Sequence, residues 1–236
     1  MPRFSRRSVL LSLGAAGVAA MTPGGSPAQN AFARYDGRPW FALTDAEARF
    51  LAAACDVLIP ADDYPSASQA GVVDFIDLQL AGPYGRGATV YLEGPFPDAA
   101  VPEQGWQVPF TPHELISRAI ADLEAGGTRL SDLDGPDREA AITRLAEGDL
   151  PISEAIPAQV FFDELLALTN EGYFADPIHG GNRDYAGWRM VGFPGAHAYY
   201  LDFVEANRPY RVAPRGIAHV PGTPRSGAVL DTWEEG

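Results

Sequence analysis

At 236 residues the chain is long enough for one well-packed domain and short for two. Hydrophobic residues make up 46% of it, which excludes a chain disordered throughout, and 31 acidic against 17 basic residues give a formal charge of -14, a field that repels a phosphate backbone and argues against nucleic acid as a partner. Every basic residue is Arg, which removes Schiff-base chemistry, a pyridoxal anchor and a P-loop lysine, and the single cysteine, Cys55, leaves no internal disulfide, CxxC pair or CxxCH haem attachment.

The first 33 residues read as an export signal. Arg3, Arg6 and Arg7 precede an apolar run from Val9 to Met21, too short for a membrane span and suited to a signal-peptide core. Arg6 and Arg7, followed by Ser-Val-Leu, have the form of a twin-arginine signal, with cleavage expected after Ala28 or Ala33 and a periplasmic destination. That route carries proteins already folded, typically around a cofactor. The rest of the chain shows no cofactor motif, and one resolution is that the signal also serves a folded partner that has no signal of its own.

Residues 34–212 are expected to form one mostly α domain of about six helices, with long loops rich in Gly, Pro and aromatics, followed by an irregular tail over 213–236. Thr44 to Glu47 is a capping box opening a helix that stops near Pro60, with Phe50, Leu51, Ala54, Cys55, Leu58 and Ile59 on its buried face. Cys55 is read as a packed thiol there. A second helix is predicted from about Ser68 to Gly82, then a long ordered loop over 83–110. Its Gly82-Pro-Tyr-Gly-Arg-Gly87 run neither follows a strand nor has GxGxxG spacing, which argues against a phosphate loop.

Thr111 to Glu114 is a second capping box, opening a helix to about Ala125. Helices follow over 136–147 and 157–170, the latter with Val160, Phe161, Leu165 and Leu168 inward and Asp163 and Glu164 facing away. The last is predicted over 195–207, carrying Tyr199, Tyr200 and Phe203. The residues beyond it lack an apolar period and are expected to be disordered or laid across another surface.

Chemistry is hard to find. His113, His179, His197 and His219 have no HExxH or HxxxH spacing, Gly-x-Ser-x-Gly is absent, and no carboxylate pair stands out from solvated helix faces. The exception to plainness is GYFADPIHGGNRDYAGWRMVGFPG, residues 172–195, with six glycines, two prolines and five aromatics. The glycines let the chain turn and approach other backbone closely, Asp176 before Pro177 and Asn182 hold turns, Arg183 and Arg189 can make bidentate pairs, and the aromatics supply rigid apolar area. Such a stretch reads as a structural loop, a partner surface or a catalytic pocket.

That stretch, preceded by FFDELLALTNE, resembles the gluconate 2-dehydrogenase subunit 3 family, the small subunit of membrane-associated flavoprotein dehydrogenases. FLAAACDVLIPADDYPSASQAGVVDFIDLQLAG, TPHELISRAIADLEA and NRPYRVAP are similar to it too, so the resemblance runs from about 44 to 212. It implies a non-catalytic subunit without a cofactor of its own. The implied partners are a large FAD-containing oxidoreductase of the glucose-methanol-choline type and a multihaem cytochrome c subunit carrying haem c. The twin-arginine export machinery would carry the folded pair. On this reading Tyr173, Phe174, Asp176, Pro177, Gly180, Gly181, Asn182, Arg183, Trp188 and Phe193 are the expected partner interface. Two alternatives stand beside it: a free-standing periplasmic hydrolase with a carboxylate or histidine-bound metal site, and a soluble sugar-binding module whose aromatics stack on the ligand.

Overall fold

The computed structural model describes residues 39–96, 107–197 and 212–218, and among them the chain is helical, with no strand. Helix α1, Asp45–Leu58, opens on the expected capping box: Thr44 Oγ1 accepts from the Glu47 amide at 3.2 Å, and Glu47 Oε2 accepts from the Thr44 amide at 2.7 Å. Phe50, Leu51, Ala54 and Cys55 are buried as predicted, whereas Leu58 and Ile59 are half-buried because the helix ends there and the chain turns away.

Helix α2, Val72–Ala81, begins four residues later than predicted. The reason lies on α1, where Asp56 takes the Ser68 amide at 2.8 Å and its hydroxyl at 2.7 Å, holding residues 67–71 in a turn that ends on left-handed Gly71. Helix α3, Pro112–Ala125, has the second capping box with Pro112 at its first position. Helix α4, Gly135–Glu147, is capped by Asp134, which accepts from the Asp137 amide at 3.1 Å.

Helix α5, Ala158–Phe174, is the axis of the domain: it touches α1, α2, α3, α4 and the short α6, Ala186–Val191. Its apolar face places Phe161, Leu165 and Leu168 in the core, and the Phe161 and Phe50 rings pack at 6.4 Å. Burying each such side chain contributes about 1.5–3 kcal/mol. Cys55 meets α5 as well, its sulfur 3.2 Å from the Thr169 hydroxyl, and burial pushes the thiol up to about 12, so it is a packing group rather than a nucleophile.

Three expectations are corrected on or near α5. The helix runs four residues beyond Asn170, so Tyr173 and Phe174 belong to its last turn rather than to a loop. Glu164 does not face away: it is half-buried and accepts a hydrogen bond from the Tyr84 hydroxyl, which ties the turn after α2 onto α5. The helix predicted from Gly195 is absent over 195–197, where Gly195 takes a positive φ of 80° and pairs with Arg215; residues 198–207, with Tyr199, Tyr200 and Phe203, lie outside the described residues.

The segment leading into α1 is fixed by one buried side chain. Asp77, on α2, is fully buried and accepts from the amides of Phe41, Ala42 and Leu43 at 2.9–3.1 Å. Three amides around one carboxylate replace the water that burial removes. The export signal, with Arg6 and Arg7, lies outside the described residues.

Candidate functional site

The stretch 172–195 folds as the last turn of α5, two single-turn 3-10 helices at Pro177–His179 and Arg183–Tyr185, and α6. Its left-handed turns are not left to Gly180, Gly192 and Gly195 alone. Asn182, Asp184 and Tyr185 all have positive φ, at 47°, 53° and 58°, which non-glycine residues adopt only when the surroundings hold them.

Asn182 supplies that hold. Fully buried, it donates from Nδ2 to the Ala175 carbonyl at 2.7 Å and accepts at Oδ1 from the Gly187 amide at 2.9 Å, so one side chain joins the end of α5 to the start of α6. The glycines on either side allow the backbones to meet. A Cβ on Gly187 would lie 2.1 Å from the Tyr173 carbonyl oxygen, and one on Gly181 2.1 Å from that of Gly172, distances no side chain can take.

The aromatics stack inward from there. Tyr173 is fully buried and donates its hydroxyl to the Pro65 carbonyl at 2.7 Å. Trp188 donates Nε1 to the Phe174 carbonyl at 2.6 Å, stacks on Tyr185 at 5.5 Å and meets the edge of Phe193 at 5.1 Å. Arg183 joins the loop to α2 twice, through its amide to the Ala70 carbonyl at 2.9 Å and through its guanidinium to Asp74. Asp176 caps the first 3-10 turn, accepting from the Ile178 amide at 3.1 Å with Pro177 following it, and Gly180 ends that turn in the left-handed region against Leu78.

Of the ten residues expected at a partner interface, Tyr173, Gly181, Asn182 and Trp188 are therefore buried. Phe174, Asp176, Pro177, Gly180 and Arg183 are half-buried, and Phe193 is exposed. They form the frame of the loop more than its outer face. The exposed apolar residues of its outer face are ones the sequence reading did not single out, Ile178, Met190, Val191 and, from beyond the loop, Ile217, and they stand among exposed polar residues such as His179 and Asp184. With Phe193 and Leu78 they account for six of the eight large hydrophobics exposed among the described residues, so exposure is concentrated at this end of the molecule. A signal for them existed in the apolar Met190-Val191 pair ending on Gly192, but nothing in the sequence says which side of a six-residue helix faces water.

For chemistry the described residues offer little. No group of three His, Cys, Asp or Glu that could hold a metal occurs among them, and exposed His179 ends a 3-10 turn. Two carboxylates are perturbed away from the loop: the hydrogen bond from the Thr111 amide lowers Glu114 in its capping box, and Glu164 moves the other way. Burial raises Glu164 above the usual carboxylate range and the neighbouring Glu171 adds to this, while the Tyr84 hydroxyl works against it. Tyr84 is raised in turn by burial and by the carboxylate it faces.

The described residues thus define a small all-α domain whose one elaborate feature is an internally tied loop with exposed apolar residues on its outer side. A family model described as Gluconate 2-dehydrogenase subunit 3 matches residues 45–195, from the start of α1 to the end of this loop, and the chain belongs to that family. No curated protein and no solved structure matches the chain.

Proposed function

We propose that the chain is the accessory small subunit of a periplasmic sugar or sugar-acid dehydrogenase and has no reaction of its own. Its partner is a large FAD-containing subunit of the glucose-methanol-choline type, which oxidises the substrate and passes electrons to a multihaem cytochrome c. The small subunit stabilises the flavoprotein and, through Arg6 and Arg7, supplies the twin-arginine signal that carries the folded pair out. The observation that carries this reading is the family match over 45–195, which includes the whole of the 172–195 loop. The concentration of exposed apolar residues on that loop and beside it supports docking there, since such patches mark interaction surfaces.

The test is co-purification from the periplasm with mass identification. A much larger flavoprotein should come down with the tagged chain, while the chain alone shows no flavin absorbance and no dye-linked dehydrogenase activity. Changing Arg6 and Arg7 to Lys should leave both polypeptides in the cytoplasm. Carbohydrate oxidation by the isolated chain, or a tagged chain that reaches the periplasm alone with full stability, would sink the reading.

A further inference from the structure

Past the end of the family match, residues 212–218 lie on the 172–195 loop in a pattern that is ordered and specific. The Arg215 amide donates to the Pro194 carbonyl at 3.1 Å, and the Ala196 amide donates to the Arg215 carbonyl at 2.6 Å, a parallel bridge between Gly195 and Arg215. The next two amides go to side chains, Gly216 to the Tyr185 hydroxyl at 3.1 Å and Ile217 to Asp176 Oδ2 at 2.7 Å. Pro214 and Gly216 are buried while Arg215 and Ile217 are exposed, so a short stretch bridged to the loop at Arg215 turns alternate residues inward before a turn begins at Ile217.

The groups that receive this segment are set without it. Asp176 is oriented by the Ile178 amide on its other oxygen. Tyr185 is held against Trp188, whose indole is anchored on Phe174. We propose that residues 176–196 form a binding site for a short peptide segment, filled in this chain by its own residues 214–217 as a latch. Recognition runs largely through main-chain groups, so sequence matters at the two inward positions, 214 and 216. A Cβ at position 216 would come within 2.9 Å of Asp176 Oδ1 and 3.2 Å of the Tyr185 hydroxyl, so a side chain there would push both groups off the amides they accept from and weaken the site's hold. Arg215 and Ile217 point out and are free to vary.

Ile178 and Ile217 donate their amides to the two oxygens of one carboxylate, so Ile217 is held beside Ile178 at the exposed apolar face. This inference stands whether or not that face docks a flavoprotein.

Limited digestion of the full chain with trypsin, followed by mass identification of scission after Arg215, tests it. Gly216→Val lies on the latch rather than in the body and should speed that cut about tenfold or more with little change in melting temperature, as expected when charge-assisted bonds are lost locally. Tyr185→Phe, which keeps the ring stack and loses the acceptor, should give a smaller, several-fold acceleration. A synthetic peptide VAPAGIA, with alanine at the outward Arg position, should then bind Gly216→Val protein in trans and change its tryptophan fluorescence saturably, whereas VAPAVIA should not. Scission of Gly216→Val at the wild-type rate, or equal responses to the two peptides, overturns the proposal.

Discussion

An aspartate holds the segment leading into the described body, and another holds the segment that follows the loop. Asp77 gathers the amides of residues 41–43 and Asp176 those of Ile178 and Ile217, the same charge-assisted chemistry at similar distances. They differ in surroundings: Asp77 is fully buried on α2 and Asp176 is half-buried on a surface turn. Burial decides what each is worth. At Asp176 water can replace a lost acceptor, whereas at fully buried Asp77 the Leu43 amide, itself in buried backbone, would lose the acceptor that packing keeps water from replacing.

The largest effect expected is therefore at Asp77. Asp77→Ala should lower unfolding stability by about 3 kcal/mol or more, because a buried amide bonded to a charged group is left unpaired. Asp176→Ala should cost about 1 kcal/mol or less by the same reasoning with solvent present. Urea denaturation of both variants measures the contrast. Equal losses would break it and show that the exit segment is as integral to the fold as the entry segment.

Much of the helical body is legible in the sequence because its determinants are local. Thr44 and Glu47, Thr111 and Glu114, and Asp134 with Asp137 lie three residues apart and fix three helix starts. What is illegible depends on contacts distant along the chain. The late start of α2 comes from Asp56 reaching Ser68, the inward turn of Glu164 from Tyr84 eighty positions earlier, and the loop's closure from Arg183 meeting Asp74. The composition of 172–195 marks it as special but does not separate frame from face: Asn182 reads as a turn residue on a surface loop, yet it is fully buried. The resemblance to the small-subunit family, by contrast, rests on motif residues themselves and is matched over 45–195.

Glu164 sharpens the comparison at intermediate burial. It has one hydroxyl donor where Asp77 has three amides, and its burial is less fully offset, which is why its proton is held above the usual range. The sign follows from linkage. With the folded value raised, the folded state binds the proton more tightly than the unfolded chain. The stabilisation is present below the ordinary glutamate value of 4.5 and is lost as pH rises through the folded one. Glu164→Gln should flatten the decline in melting temperature in the weakly acidic range just above pH 4.5. An unchanged slope would mean that water reaches this carboxylate freely.

The smallest effect on the isolated chain is expected where a side chain holds nothing inward. Val191 is 59% exposed at the end of α6, and Val191→Ser should change stability by no more than about 0.5 kcal/mol, the usual range for surface sites. If the apolar face docks a larger subunit, the same substitution should reduce the amount of flavoprotein recovered with the tagged chain, because removing apolar area from an interface costs affinity without touching the fold. Asp77→Ala makes the converse case, lost stability at a fully buried position that presents nothing to a partner. Recovery that follows melting temperature in both variants would mean that the loop matters only as part of a stable body. Recovery that falls for Val191→Ser at full stability would separate the two, leaving the inner residues of 172–195 as frame and its outer residues as the contact.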